Sequence, residues 1–166
     1  MSLTLLNYPT QRHVPGPTDI MYIFTGEFAL IDNFALTPVR VNVGFGPQHY
    51  RTSEHAFAAA KAMHKAQHDG VQRQVDPGRA KALGRKVVLR PDWEEVKFDM
   101  MAMILSAKFE QNPDALAVLK STGDRLIYEG NNWADRIWGV TQEGPLWVGR
   151  NALGVQLMEL RANYFG

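Results

Sequence analysis

Thr52-Ser53-Glu54-His55-Ala56-Phe57-Ala58-Ala59-Ala60-Lys61-Ala62 is the stretch on which the reading of the fold turns. Thr52 or Ser53 is a helix cap, because a hydroxyl there accepts from a free N–H of the first turn. The run behind it predicts a helix to about His68, with Gly70 as its stop. Glu54 and Lys61 stand seven apart, so two turns put them on one face, about 10 Å apart along the axis. Ala58 lies between them, which makes a shallow lane with a carboxylate at one end and an amine at the other. A simpler reading also stands: Glu54 complements the helix dipole in the first turn, and Lys61 is solvated.

Outward from this helix the pattern stays mostly helical. Asp76-Pro77 is a cap followed by an N1 proline and opens a short helix ending near Gly84. Asp92 and Glu95 fit a D-x-x-E capping box. They start the longest helix, to about Gln111, with the stripe Trp93, Val96, Met100, Ile104 and Ala107. Asn112-Pro113 opens another helix to Lys120, and a last one starts near Asn151 and carries Leu153, Leu157, Met158 and Leu160. Strands are few. Val39, Val41, Val43 and Phe45 alternate with polar or small residues until Pro47. Asp19 to Phe24, Lys86 to Leu89 and Arg125 to Glu129 read as short strands, and Asn131 to Arg150 as a structured loop. Residues 1–18 hold three prolines and a glycine and read as an extended surface arm. Residues 19–166 read as one α+β domain, mostly helical, with a small sheet.

The 166 residues suffice for one core without staples, and 45% hydrophobic with 21% charged residues is ordinary for a globule. A net charge of +1 disfavours a polybasic binder that grips a long nucleic-acid backbone. With no cysteine, disulfides and thiolate metal sites are excluded. No run of roughly 18 apolar residues offers a membrane span. The start of the chain lacks signal-peptide chemistry, so a cytoplasmic protein is expected.

Gly44-Phe45-Gly46-Pro47 does not make a dinucleotide loop, since the third glycine and the βαβ setting are missing. His64 and His68 stand four apart, but no third ligand joins them, and exposed histidines are the better reading. No metal and no cofactor is expected. Asp135 lies in Asn131-Asn132-Trp133-Ala134-Asp135-Arg136-Ile137-Trp138-Gly139. Two readings stand for it: an acid raised in pKa against an aromatic wall, or a turn residue in a loop pinned by two tryptophans. Arg73, Arg79, Lys81, Arg85, Lys86 and Arg90 form a basic stretch. It is a solvated surface or, at Lys81 and Arg85, a phosphate contact.

Eight pieces in order resemble the YbiA-like, or NADAR, family of N-glycosidases. They are Asp32-Asn33-Phe34, where the family usually has Ser-Asn-Phe; Thr52-Ser53-Glu54-His55-x-Phe57 with Ala60-Lys61; Ala80-Lys81-x-Leu83-Gly84-Arg85; and Asp92-Trp93-x-x-Val96-Lys97 with Met100 or Met101. Further on come Lys108-Phe109-x-x-Asn112-Pro113; Thr122-Gly123-Asp124; Asp135-x-x-Trp138-Gly139; and Gly149-x-Asn151-x-Leu153-Gly154-x-x-Leu157-Met158. Together they run from about Phe24 to Arg161. The resemblance implies a single YbiA-like domain that cleaves a bond between a ribose and a nitrogen base.

It also implies catalytic roles for Glu54, Trp93 and Asp135, and places the family's helix lysine at Lys61. Substrate contacts fall on Asn33, Phe34, Trp138 and Gly139. Lys81, Arg85 or Arg150 can neutralise phosphate, and the helix N-terminus at Asn151 is a candidate anion site. Neither Glu54 nor Asp135 is expected in the packed core. The leading substrate is ADP-ribose on guanine in nucleic acid, so the partner is an ADP-ribosylated nucleotide or nucleic acid. The alternative substrate is a phosphorylated ribosylamino-pyrimidine of riboflavin synthesis. A non-catalytic ADP-ribose-binding module is the alternative of another class.

Overall fold

The computed structural model describes residues 2–21 and 25–165. Its elements in chain order are β1 (Gln11–His13), β2 (Ile20–Met21), β3 (Val39–Asn42), β4 (Pro47–Tyr50), α1 (Ser53–Ala60), α2 (Lys65–Gln72), α3 (Pro77–Gly84) and α4 (Trp93–Gln111). They continue with α5 (Pro113–Ser121), β5 (Ile127–Tyr128), β6 (Gly130–Asn131), β7 (Val140–Glu143), β8 (Leu146–Gly149) and α6 (Ala152–Phe165). Helices dominate and the sheets are small, which is the expected class. Of the strand expected over Asp19 to Phe24, Ile20–Met21 is present, and Tyr22, Ile23 and Phe24 lie outside the described residues. The chain divides into two compact units, one built on Asp32–Leu116 and the other on Leu3–Ile31 with Ala117–Gly166.

In the first unit β3 and β4 form an antiparallel hairpin, with Val39 opposite Tyr50. Val39 and Val41 are buried while Arg40 and Asn42 face out, as the alternation requires. The strand stops earlier than expected, because Asn42 Oδ1 accepts the N–H groups of Gly44 and Gly46 at 3.0 and 3.1 Å and folds the chain back. Pro47 therefore opens β4 instead of ending β3. Thr52 caps α1 through His55 N–H, 3.2 Å away. The helix ends at Ala60, eight residues short of the expected limit. Beyond it Met63 N–H donates to Val88 O at 2.8 Å and Ala62 bridges Leu89, so the backbone leaves the helix to meet the segment read as a strand. That segment forms only this bridge. Helix α2 starts afresh, and Gly70 lies inside it. His64 is exposed, but His68 is fully buried between Tyr50 Oη at 2.6 Å and Asp69 Oδ1 at 2.8 Å, which corrects the reading of two exposed histidines.

Every residue of α1 is buried. The reason for its alanines lies in α3, where a Cβ on Gly84 would sit 2.8 Å from Ala58 Cβ. Two helices this close need small residues at the crossing. The lane expected at Ala58 is thus filled by α3. In α4 the buried face is Trp93, Lys97, Phe98, Met101, Ile104, Leu105, Lys108 and Phe109, whereas Val96, Met100 and Ala107 are only half-buried. The expected capping box is absent, since Arg90 takes the Asp92 carboxylate with Nε at 2.6 Å and Nη2 at 2.9 Å.

The second unit carries a four-stranded sheet in the order β1-β8-β7-β6, and β2 pairs with β5 in parallel. β1 runs antiparallel to β8, and Tyr8 just before it is buried. The segment 131–150, read as a loop, contains the β7–β8 hairpin closed at Gly144, where φ is +59°. VTQE and LWVG show no clean alternation, so the period gave no strand signal.

Candidate functional site

Four chain segments of the first unit build the site: the 32–34 loop, α1, the start of α4, and α3 with the Arg85 that follows it. The Asp32-Asn33-Phe34 loop meets the start of α1, where Asn33 O accepts Glu54 N–H at 3.0 Å. The end of α1 meets the start of α4, where Lys61 O accepts Arg90 N–H at 2.8 Å, two residues before Asp92. The Arg90–Asp92 pair stiffens that turn and sets Trp93 at the first position of α4. The Trp93 and Phe57 ring centroids lie 5.1 Å apart, and Lys61 Nζ stands 5.5 Å from the Phe57 centroid and 6.0 Å from that of Trp93. Lys81 Nζ lies 5.5 Å from the ring centroid of Phe34, a residue 41% exposed.

Glu54 is 7% exposed, against the expectation that it lies outside the core. Burial pushes its carboxyl up to about 7; Lys81, Lys61 and Arg85 oppose the rise, and Asp32 adds to it. Burial pulls the Lys61 amine below its ordinary value; Glu54 opposes, and Arg85, Lys81 and Lys97 push the same way as burial. Glu54 and Lys61 act on each other through space, not through a hydrogen bond. A carboxyl raised by burial and an amine lowered by it are shifts in the directions that acid–base and nucleophilic chemistry require.

Two neighbours escaped the sequence reading as site members. Phe57 was quoted only as a motif letter, though Lys61 stands over its ring. Lys97 is 7% exposed, pairs with Glu94 and presses on Lys61. Its place four residues after Trp93, on the same helix face, was the available signal. Trp93 itself is 6% exposed, so it serves the core as well as the site. Trp93→Ala is expected to lower stability by about 3–5 kcal/mol along with activity. An unchanged melting temperature places the ring outside the core.

Asp135, Trp138, Gly139, Arg150 and Asn151 belong to the second unit. Asp135 Oδ1 accepts the N–H groups of Ile137 at 3.1 Å and Trp138 at 3.0 Å, which is the turn reading of that residue. Asn131 braces the same turn with both ends of its amide, and Ala134 before Asp135 adopts φ +65°. Such a conformation is costly for a residue with a Cβ. At Gly139 a Cβ would collide with the Glu129 carbonyl.

The anion site expected at the start of α6 is not open. Asn151, Ala152 and Leu153 N–H donate at 3.0–3.2 Å to the carbonyls of Gly139, Ile137 and Trp138. Asn151 is fully buried and holds Glu129 N–H and Ile127 O with its side chain. Arg150 Nη1 is likewise engaged, on the carbonyls of Tyr8 and Leu5 at 2.8 and 3.2 Å. Among the described residues no three of His, Asp and Glu come together as a metal site, and no helix is long and apolar enough to cross a membrane.

The buried Glu54 carboxyl, the Lys61 amine, the cations Lys81 and Arg85 and the rings of Phe57 and Trp93 thus belong to one unit. The profile of the NADAR domain matches residues 22–164, and the chain belongs to that family. It is 35% identical over 153 residues to N-glycosidase YbiA of Escherichia coli K12, covering 90% of this chain and 91% of that one. The NMR structure of E. coli YbiA superimposes with a TM-score of 0.71 at 32% identity, over 88% of this chain and 85% of the other. A shorter likeness, 36% over 89 residues, links 54% of this chain to 14% of the chloroplastic riboflavin biosynthesis protein PYRR of Arabidopsis thaliana.

Proposed function

We propose that this hydrolase of N-glycosyl bonds removes ADP-ribose from ADP-ribosylated guanine in nucleic acid. The carrying observation is the Glu54 carboxyl, raised to about 7 by burial amid Lys61, Lys81 and Arg85. Breaking an N-glycoside leaves an electron-poor anomeric carbon and a basic nitrogen. An acid that holds its proton at neutral pH protonates the leaving base. Lys81 and Arg85 bring the cationic donors that phosphate groups take. The Phe34 ring offers a face for a base.

The likeness to PYRR favours a second reading, a phosphorylated ribosylamino-pyrimidine, by the same chemistry. Mass spectrometry of products from both substrates separates the readings. Free ADP-ribose with restored guanine supports the first; ribose 5-phosphate released from the pyrimidine supports the second. Binding of ADP-ribose without release from either substrate overturns both and leaves a non-catalytic reader.

Asp135 is the second carboxylate in this reading. Asp135→Asn keeps the oxygen that closes the turn onto Ile137 and Trp138, so the fold is expected to persist. Turnover is expected to drop about 10²–10⁴-fold. Near-wild-type turnover at saturating substrate removes Asp135 from the chemistry.

A further inference from the structure

The loop that meets α1 holds two buried acceptor atoms without a hydrogen-bond partner, Asp32 Oδ2 and Asn33 Oδ1. Their residues are 2% and 7% exposed. An unmet acceptor at such depth is costly, and native folds rarely leave two side by side. The loop cannot turn them away, because it is tied on every side. The buried Lys108 Nζ donates to Asp32 O at 2.6 Å, Phe34 N–H to Asp32 Oδ1 at 2.6 Å, and Glu54 N–H to Asn33 O at 3.0 Å. Asn33 Nδ2 is turned to Met101 Sδ at 3.5 Å, which leaves its oxygen as the unmet end.

We propose that Asp32 Oδ2 and Asn33 Oδ1 are an acceptor pair that selects a ligand group bearing two neighbouring N–H or O–H donors. A ribose diol and the aminated edge of a base both have this chemistry. The inference rests on the reading above in one respect, that the Glu54 cluster receives a nucleoside-derived substrate. Burial raises the Asp32 pKa, while Phe34 N–H, Lys108 and Lys81 oppose it, so Asp32 and Glu54 both feel Lys81. Lys108, itself pulled down to about 7 by burial with Asp32 opposing, supports the loop from beneath.

The test measures binding, not turnover. The ¹⁵N-labelled protein is titrated with guanosine and inosine, and with ribose 5-phosphate and 2-deoxyribose 5-phosphate. The wild type is expected to prefer the donor-richer member of one pair by about tenfold or more. Preference for guanosine assigns the pair to the base edge; preference for ribose 5-phosphate assigns it to the sugar. Asp32→Asn keeps the oxygen that holds Phe34 N–H and turns the unmet acceptor into a donor, so the ratio is expected to fall to about one. Asp32→Ser, whose hydroxyl still closes the turn, is expected to weaken the same ratio and serves if the Asn variant does not fold. A wild type that binds neither pair or discriminates in neither overturns the proposal, as does a ratio that survives both variants. A ratio that behaves as expected with no product from any N-glycoside overturns the assigned reaction and leaves the acceptor pair standing.

Discussion

Glu54→Gln is expected to lose about 10²–10⁴-fold in turnover and yet to melt higher than the wild type at pH 8. The first effect follows from removing the proton donor; the second follows from its environment. The Glu54 carboxyl lies near 7 in the fold against an ordinary 4.5, so the folded chain holds this proton more tightly than the unfolded chain. The stability tied to the group is fully present below pH 4.5 and is lost as pH rises through about 7. Glutamine fills the same volume and never ionises. The variant's advantage should therefore be absent below pH 4.5, grow up to pH 7 and level off near 3 kcal/mol, an upper bound for one group shifted this far. Denaturant unfolding at pH 4, 6 and 8 beside turnover at saturating substrate reads both effects. A variant with wild-type turnover is incompatible with the acid role, and a stability difference flat across pH is incompatible with the raised carboxyl. In the wild type the rate should fall as pH climbs past 7, because the acid form of Glu54 disappears.

What the sequence told correctly was local. Thr52, and Asp76 with Pro77, start helices because a cap acts on N–H groups two or three residues away, and that relation is written in the chain itself. The failures are non-local. Nothing in the residues 52–68 shows that Met63 N–H will find Val88 O, so the end of α1 was misplaced. Nothing near Ala58 shows that Gly84 will cover it, so the ligand lane stays open as one of two readings until α3 is seen to fill it. The Asp92 box failed because Arg90, two residues outside it, competes for the carboxylate. The α6 N-terminus failed as an anion site because the 136–139 carbonyls reach it first. Burial of Glu54 is a property of its neighbours, and only the packing of α1 makes it visible. The residue types at Glu54, Lys61 and Trp93 stand in the chain to be read; the burial that shifts Glu54 and Lys61 does not.

Lys61 carries the prediction with the most at stake: borohydride added during turnover is expected to fix a sugar adduct on its Nζ, and Lys61→Ala is expected to lose at least about 10³-fold in rate. The residue ends α1, with its carbonyl tied to Arg90 N–H and its amine over the faces of Phe57 and Trp93. Helix α3 fills the space beside Ala58. What remains is the state of the amine. Burial lowers its pKa, and Arg85, Lys81 and Lys97 add to the effect against Glu54, which is the direction an amine nucleophile requires. In the covalent route the Nζ lone pair forms a bond to the anomeric carbon as the bond to the base nitrogen breaks. Glu54 gives its proton to that nitrogen, and the base leaves neutral. The ring oxygen then takes its electron pair and a proton from the amine side, which opens the sugar as a protonated imine. Water adds to the imine carbon and the bond to Nζ breaks as that carbon becomes a carbonyl, with one proton of the water going to the amine and the other to Glu54; the sugar leaves as the open aldehyde and closes again to its ring form. Borohydride delivers hydride to the imine and makes the bond permanent, so the intact protein gains the mass of the reduced sugar. The competing route uses Lys61 to hold a phosphate while water attacks directly. In that case no adduct forms at rapid turnover, and Lys61→Ala raises KM with kcat largely kept. An adduct mapped to Lys61, together with a collapse of kcat in Lys61→Ala, supports the covalent route; its absence with kcat retained assigns the attack to water and leaves Glu54 as the acid.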